Sequence, residues 1–222
     1  MRLDRVSPNP YFLDIATAEN LNLNMAGGAD TFTGQNGISL TGLRFTVDGG
    51  PGNDTVEGQG GSDVLRFNGS NAGETVEVSA NGSRTRFTRD IAGITMDLHD
   101  VEQIDFQALG SADTMIVDDL TGTDTKRVDF NLAGFGGGGD ATADNVIVNG
   151  TGGNDRITIE GKAGAVVVNG LPASVSITNS DGLGDVLTVN GQNGVDRITV
   201  NNTTLPAGAI SLVTIAEQVT NP

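Results

Sequence analysis

Two adjacent stretches set an acid among glycines at a fixed spacing. Gly49-Gly50-Pro51-Gly52-Asn53-Asp54-Thr55-Val56-Glu57 runs directly into Gly58-Gln59-Gly60-Gly61-Ser62-Asp63-Val64-Leu65-Arg66. Both read G-x-x-G-x-D-x-apolar-x, so Asp54 and Asp63 stand nine residues apart. Glycine reaches positive φ at little steric cost, which a tight loop needs. The carboxylate falls where loop meets strand. Six loop residues leave three for the strand, and the loop offers carbonyl oxygens beside the acid. Ca²⁺ takes six to eight hard oxygens at about 2.3–2.6 Å, and stacked loops of this kind would supply them.

A longer spacing also repeats acids. "ADNVIVNGTGGNDRITIEG" at 143–161 matches "GDVLTVNGQNGVDRITVNN" at 184–202, with Asp144 on Asp185 and Asp155 on Asp196, both 41 residues apart. An earlier copy places Asp63 and Glu74 at the two positions, and a weaker one supplies Glu102 and Asp113. Asp113, Asp144, Asp155, Asp185 and Asp196 are expected to form only Asx-turns, in which the side chain bonds its own local backbone.

Other chemistry is sparse. "RTRFTRD" holds Arg84, Arg86, Arg89 and Asp90, the one basic cluster, and alternation puts Arg84 and Arg86 on one outward face. A proton-abstracting arginine beside Ca²⁺-binding carboxylates would suit a β-helix that cleaves acidic polysaccharides. The plainer reading is a solvated face offsetting nearby acids. His99 is the lone histidine and precedes Asp100, which reads as a turn. No G-x-S-x-G, H-E-x-x-H or P-loop is present, and no catalytic residue is expected.

The positioning elements must be short strands. Alternating apolar runs recur every nine to thirteen residues, from "DVLRF" and "ETVEV" through "RITIE" and "AVVVN" to "ISLVTI", with Gly, Asn, Asp and Ser between them. No stretch has helical periodicity. Near-identical repeats are expected when each unit stacks on the next and buries the same face. The pattern therefore predicts an all-β fold, a right-handed parallel β-solenoid or β-roll with two sheets and Gly/Asp-rich turns. It runs as one continuous unit over 1–222: N-terminal turns and cap at 1–48, the nonapeptide unit at 49–67, and the long repeats with the C-terminal end at 68–222. Each 41-residue repeat is expected to make two circuits of the solenoid. Inward positions include Val146, Ile147 or Val148, Ile157, Ile159, Val166, Val168, Val175, Ile177, Leu187, Val189, Ile198 and Val200. Residues 132–144 form an extruded loop. Tyr11 and Phe12 cap one end, and 205–222 close the other.

Composition agrees. Of 222 residues 33 are Gly, only 4% are aromatic, and the net charge is −16 from 28 Asp plus Glu against 12 Lys plus Arg. No basic footprint for nucleic acid exists, and a cation is the natural partner, although acidic surface also serves solubility. No cysteine is present, so disulfides and thiolate metal sites are excluded. No apolar run is long enough to span a bilayer, and the first twenty residues lack a signal-peptide core.

Gly49 to Arg66 resembles two copies of the hemolysin-type, repeats-in-toxin (RTX) calcium-binding nonapeptide, a glycine-rich, Asp-bearing β-helix signature. The remainder is similar to modules of large secreted bacterial calcium-binding proteins, on the phrases "SDVLRFNGSNAGETVEVSANGSRTRFTRDIAGITMDLHDVEQIDF" and "ADTMIVDDLTGTD". The resemblance covers nearly the whole chain and implies a parallel β-roll, secretion from a bacterium within a longer protein, and Ca²⁺ as ligand. By it, Asp54 and Asp63 correspond to the ligand aspartates. Gly49, Gly50, Gly52, Gly58, Gly60 and Gly61 correspond to the loop whose carbonyls coordinate, with Gln59 replacing a glycine in the second copy. Two consecutive nonapeptides make one circuit, so their loops lie on opposite sides. Asp54 then needs a partner from Asp30 or Glu74, and Asp63 has none in view. One to three Ca²⁺ sites are expected. The function expected is a calcium-binding, non-catalytic secreted module. The alternative is a structural, adhesive or fibre-forming solenoid, whose exposed edges invite end-to-end self-association.

Overall fold

The computed structural model describes residues 62–215 without a break, residue 29, and the segments 2–5, 11–14, 20–24, 31–33, 44–48, 53–57 and 218–220. Among these the chain is all-β, and its one helical feature is a short 3₁₀ turn at Ile91–Gly93. Five short strands come first: β1 (Arg2–Arg5), β2 (Tyr11–Asp14), β3 (Asn20–Asn24), β4 (Thr31–Thr33) and β5 (Arg44–Asp48). β1 and β2 pair antiparallel and β3 and β5 pair parallel, each pair a sheet of its own. The side chains of Tyr11 and Phe12, expected to cap the core, lie outside the described residues.

The rest of the chain supplies β6 (Asn53–Glu57), β7 (Val64–Asn68), β8 (Thr75–Asn81), β9 (Arg84–Arg89), β10 (Ile94–His99), β11 (Gln103–Leu109), β12 (Thr114–Val117), β13 (Arg127–Gly134), β14 (Asn145–Asn149), β15 (Arg156–Lys162), β16 (Ala165–Asn169), β17 (Ser174–Thr178), β18 (Gly182–Asn190), β19 (Arg197–Val200), β20 (Ile210–Ile215) and β21 (Gln218–Thr220). They form two large sheets. The nine-stranded sheet has the order β20-β18-β14-β12-β8-β9-β10-β6-β4, and the eight-stranded sheet has β21-β19-β15-β16-β17-β13-β11-β7.

Both sheets are mixed, which corrects the purely parallel expectation. Strands from different repeats pair in parallel, as β12 with β14 and β11 with β13. Inside two of the repeats a meander folds back antiparallel: β8-β9-β10 in one sheet and β15-β16-β17 in the other. Local turn chemistry explains this. Ala163 (φ 52) and Gly164 (φ 84) are the two residues between β15 and β16. Positive φ at both is the geometry whose twist suits a two-residue hairpin. Between β8 and β9, Gly82 (φ 69) starts the equivalent turn. The repeats that carry a meander, of 39 and 41 residues, therefore each make one passage through both sheets, not two, adding three strands to one sheet and one to the other.

The alternation of apolar residues is realised strand by strand. Val146 and Val148 are buried and Ile147 is not, which resolves the one-residue ambiguity of that strand. Ile157, Ile159, Val166, Val168, Val175, Ile177, Leu187, Val189, Ile198 and Val200 are all buried. Each such side chain contributes about 1.5–3 kcal/mol by leaving water. Phe67, Phe87, Phe106 and Phe130 join the two sheets, with the Phe67 and Phe87 rings 5.0 Å apart. The loop expected at 132–144 begins later, because β13 continues through Gly134 with Leu132 and Ala133 buried. Gly170 (φ 98) packs so tightly that a Cβ there would lie 2.0 Å from the Arg156 carbonyl oxygen.

Candidate functional site

Turns that lead into neighbouring parallel strands lie side by side, so an acid at the same place in each turn forms a row. Glu74, Asp113, Asp144 and Asp185 make the longest row: the first three stand just before β8, β12 and β14 of the nine-stranded sheet, and Asp185 lies within β18. The Glu74 N–H donates to Asp113 Oδ1 (2.8 Å), the Asp113 N–H to Asp144 Oδ1 (2.8 Å) and the Asp144 N–H to Asp185 Oδ1 (3.0 Å). Main-chain bonds run alongside, from Thr114 N to Glu74 O and from Asn145 N to Asp113 O. All four side chains are buried. On the other sheet the Asp155 N–H donates to Asp196 Oδ1 at 2.9 Å, and the Asp63 N–H to Glu102 Oε2 at 2.7 Å.

These contacts replace the Asx-turns expected at the five repeated aspartates. Each carboxylate reaches the turn beside it, or the residue four positions earlier, as Asp155 does with Thr151 (2.7 and 2.9 Å). Asx-turns occur at Asp119 and Asp140 instead. The row also shows that the two repeats are out of phase. Glu74 and Asp113 hold the second acidic position in the sequence match, yet they stack on Asp144 and Asp185, which hold the first. The cause is β13, which makes an extra visit to the eight-stranded sheet between Asp113 and Asp144.

Burial and mutual repulsion act on this row. Burial, followed by the nearby Asp144, Glu74 and Asp140, pushes the Asp113 carboxyl up to about 7, against the lowering effect of the hydrogen bond from Glu74 N. Asp144 rises to about 6, chiefly by burial, with Asp185, Asp140 and Asp181 adding to it. Desolvation and like charges both disfavour the ionised form.

A second group sits at the corner where the second nonapeptide meets the eight-stranded sheet. The Asp63 carboxyl is raised by burial, then by Glu102 and Asp100, and its Oδ2 is buried with no hydrogen-bond partner. The Asp100 N–H donates to Asp124 Oδ2 at 3.3 Å. His99, Asp100 and Asp124 each offer a ligand atom, all within 4.8 Å of one another. Among the described residues no Arg or Lys pairs with Asp63, Glu102 or Asp124. Lys126 donates instead to the Thr123 carbonyl oxygen at 2.6 Å. Asp63 with its orphaned buried oxygen is thus acted on by Glu102 and Asp100, beside the His99, Asp100 and Asp124 group.

The nonapeptide residues Gly49, Gly50, Gly52, Gly58, Gly60 and Gly61, together with Asp30, lie outside the described residues, as does the side chain of Asp54. The backbone of Asp54 is in β6 and aligns with Met96 of β10. β9 and β10 separate β6 from β8, so Glu74 does not share a turn gap with Asp54. Asp63, for which no partner was in view, has Glu102. The signal was present in the sequence as a 39-residue spacing.

The basic cluster is occupied by acids. Arg84 bridges Glu57 (2.7 Å) and Asp97 (2.9 Å), Arg89 pairs with the buried Glu74, and Arg86 is exposed. His99 Nδ1 lies 3.1 Å from Glu57 Oε2. Neither a family model, nor a curated protein, nor a solved structure matches this chain.

Proposed function

We propose that the chain is a non-catalytic, calcium-binding secreted module, a flattened right-handed β-solenoid interrupted by two antiparallel three-stranded meanders. The strands' alternation between two sheets that share one core supports the solenoid, and the handedness rests on the general preference of parallel crossovers. The observation that carries the calcium reading is the corner of Asp63, Asp100, Glu102 and Asp124, where an orphaned carboxylate oxygen faces further acids without a cationic partner. The glycines Gly58, Gly60 and Gly61 of the second nonapeptide, which lead into Asp63, would supply carbonyl oxygens on that side of the corner. Its half-exposed carboxylates suit a weak site of the kind that extracellular modules use at about 10⁻⁴–10⁻³ M Ca²⁺. An exported protein meets such concentrations.

Binding to the folded state alone adds about 2.7 kcal/mol at one hundred times Kd. For a chain of this size that is a rise in melting temperature of roughly 5–11 °C. A melting series with 0–20 mM Ca²⁺, monitored by circular dichroism, checks this. A saturable rise that a chelator reverses and that Asp63→Asn diminishes supports the reading. An unchanged melting temperature at 20 mM sinks it.

The rows of buried acids favour a second reading, a structural solenoid that needs no metal. Their carboxylates already cap backbone N–H groups of adjacent turns. That reading predicts full folding in chelator with no calcium response.

A further inference from the structure

We propose that Asn81 and Asn193 are sites of spontaneous deamidation, at which the Gly82 and Gly194 nitrogens attack the preceding side-chain amides, and that the fold holds the other described Asn-Gly steps against the same reaction.

The chemistry needs no catalyst. In an Asn-Gly step the glycine main-chain nitrogen gives its proton to solvent base and attacks Asn Cγ. A C–N bond forms, and the side-chain nitrogen leaves as ammonia. Water then opens the cyclic imide at either carbonyl, which yields Asp or isoaspartate. Glycine is the most permissive following residue, because no Cβ blocks the approach and its backbone turns freely. Two conditions follow. The glycine N–H must be free of a partner, and the asparagine amide must be free to swing over it.

The chain has seven Asn-Gly steps, of which the one at Asn36 lies outside the described residues. Three are held at the glycine nitrogen. Gly69 N–H donates to Gln107 O, Gly150 N–H to Asn190 O and Gly191 N–H to Ile215 O, each at 2.7 Å. A fourth is held at the amide, where Asn169 Nδ2 donates to Glu160 Oε1 at 3.2 Å. These bonds tie turns and strands together, so releasing them requires local opening.

The remaining two steps meet both conditions. Asn81 ends β8 and Gly82, at φ 69, starts the turn to β9; Gly194, at φ 122, follows Asn193 in the loop between β18 and β19. All four residues are exposed. Neither glycine N–H and neither asparagine side chain has a hydrogen-bond partner among the described residues.

The consequences differ between the two. Each conversion adds one negative charge to a chain already at −16. At Asn81 the change stays at a hairpin tip. At Asn193 the loop is stacked on the turn at 150–155: Val195 N–H donates to Asn154 Oδ1 at 2.8 Å, and a Cβ on Gly194 would lie 2.2 Å from the Gly153 carbonyl oxygen. Isoaspartate lengthens the main chain by one carbon, and that stack has no room for it. The inference holds whether or not calcium binds.

Peptide mapping by mass spectrometry tests it on the full chain, incubated folded at pH 8 and 37 °C and digested in acid. Fragmentation locates each amide-to-acid mass gain, and chromatography separates Asp from isoaspartate. Asn81 and Asn193 are each expected to convert roughly tenfold faster, or more, than Asn68, Asn149, Asn169 and Asn190, which react only after opening. In denaturant all six are expected to convert at similar rates, since only the fold distinguishes them. If either Asn81 or Asn193 is no faster than the four held residues in the folded chain, or if the same difference persists in denaturant, the inference is overturned.

Discussion

The long row and the Asp63 corner are built from the same residue types, yet they solve opposite problems. In the row, Asp113, Asp144 and Asp185 each cap the N–H of an acid in the preceding turn, inside the protein. At the corner, Asp100 and Asp124 are half-exposed, and one long hydrogen bond of 3.3 Å links them. The carboxylates of the row are part of what joins one repeat to the next. At the corner, Asp100 and Asp124 remain half-exposed and are held by that single contact. An acidic residue in a repeat is thus not one kind of feature: its role depends on whether a neighbouring turn places an N–H against it.

The largest expected effect breaks the row. Asp144→Ala removes the acceptor of the buried Asp113 N–H, and an unsatisfied buried donor costs about 1–3 kcal/mol. Thermal melting in chelator should fall by roughly 2–12 °C for a chain of this length. Asp100→Asn at the corner, a residue type that also tolerates the φ of 53 there, should stay within about 0.5 kcal/mol, the usual range for surface changes. If the two variants melt alike, the row does not carry load that the corner lacks.

The strands and their faces were legible because both signals are local. Alternation in "NVIVN" or "RITIE" reports a buried side directly, and repetition reports stacking. The pairing Asp144–Asp185 could be read from its 41-residue spacing. Three things are not legible in the sequence alone. The meanders at β8-β10 and β15-β17 depend on two-residue turns at Gly82 and at Ala163-Gly164, whose cue is short and easily absorbed into a regular spacing. The half-step between repeats depends on β13, a strand with no counterpart in the repeat. The depth of Asp113 and Asp144 depends on neighbours from distant turns, which a reading of each loop alone assigns to local Asx-turns. At the corner, Asp63 and Glu102 were both visible as repeat positions, but Asp100 and Asp124 approach only through folding.

A pH series sharpens the comparison at intermediate effect. A carboxyl whose folded pKa is raised holds its proton more tightly when folded. Its contribution to stability is complete below the unfolded value of about 4 and is lost as pH rises through the folded value. With Asp113 at about 7 and Asp144 at about 6, stability in chelator should decline between pH 4 and 7. Denaturant midpoints measured at pH 5, 6, 7 and 8 give the slope. Asp113→Asn keeps an acceptor for the Glu74 N–H without the charge, so it should flatten the slope and match or exceed wild type at pH 8. A wild-type slope that is flat or rises over this window would show that the row is not strained by its charges.

The smallest effect belongs to Asp124→Asn at the corner. In chelator its melting temperature should differ from wild type by less than about 1 °C, because its oxygen keeps the Asp100 N–H contact as an amide and the residue is half-exposed. In 10 mM Ca²⁺ the same variant should recover only part of the wild-type rise, since one charged ligand is gone from a set of four. The informative quantity is therefore the difference between the two conditions. A site that binds through Asp124 separates the curves only when the ion is present. A purely structural corner leaves the two proteins together in both. Separation in chelator alone would mean that Asp124 acts through the turn at Asp100, whose backbone φ of 53 the hydrogen bond from its N–H would then be holding.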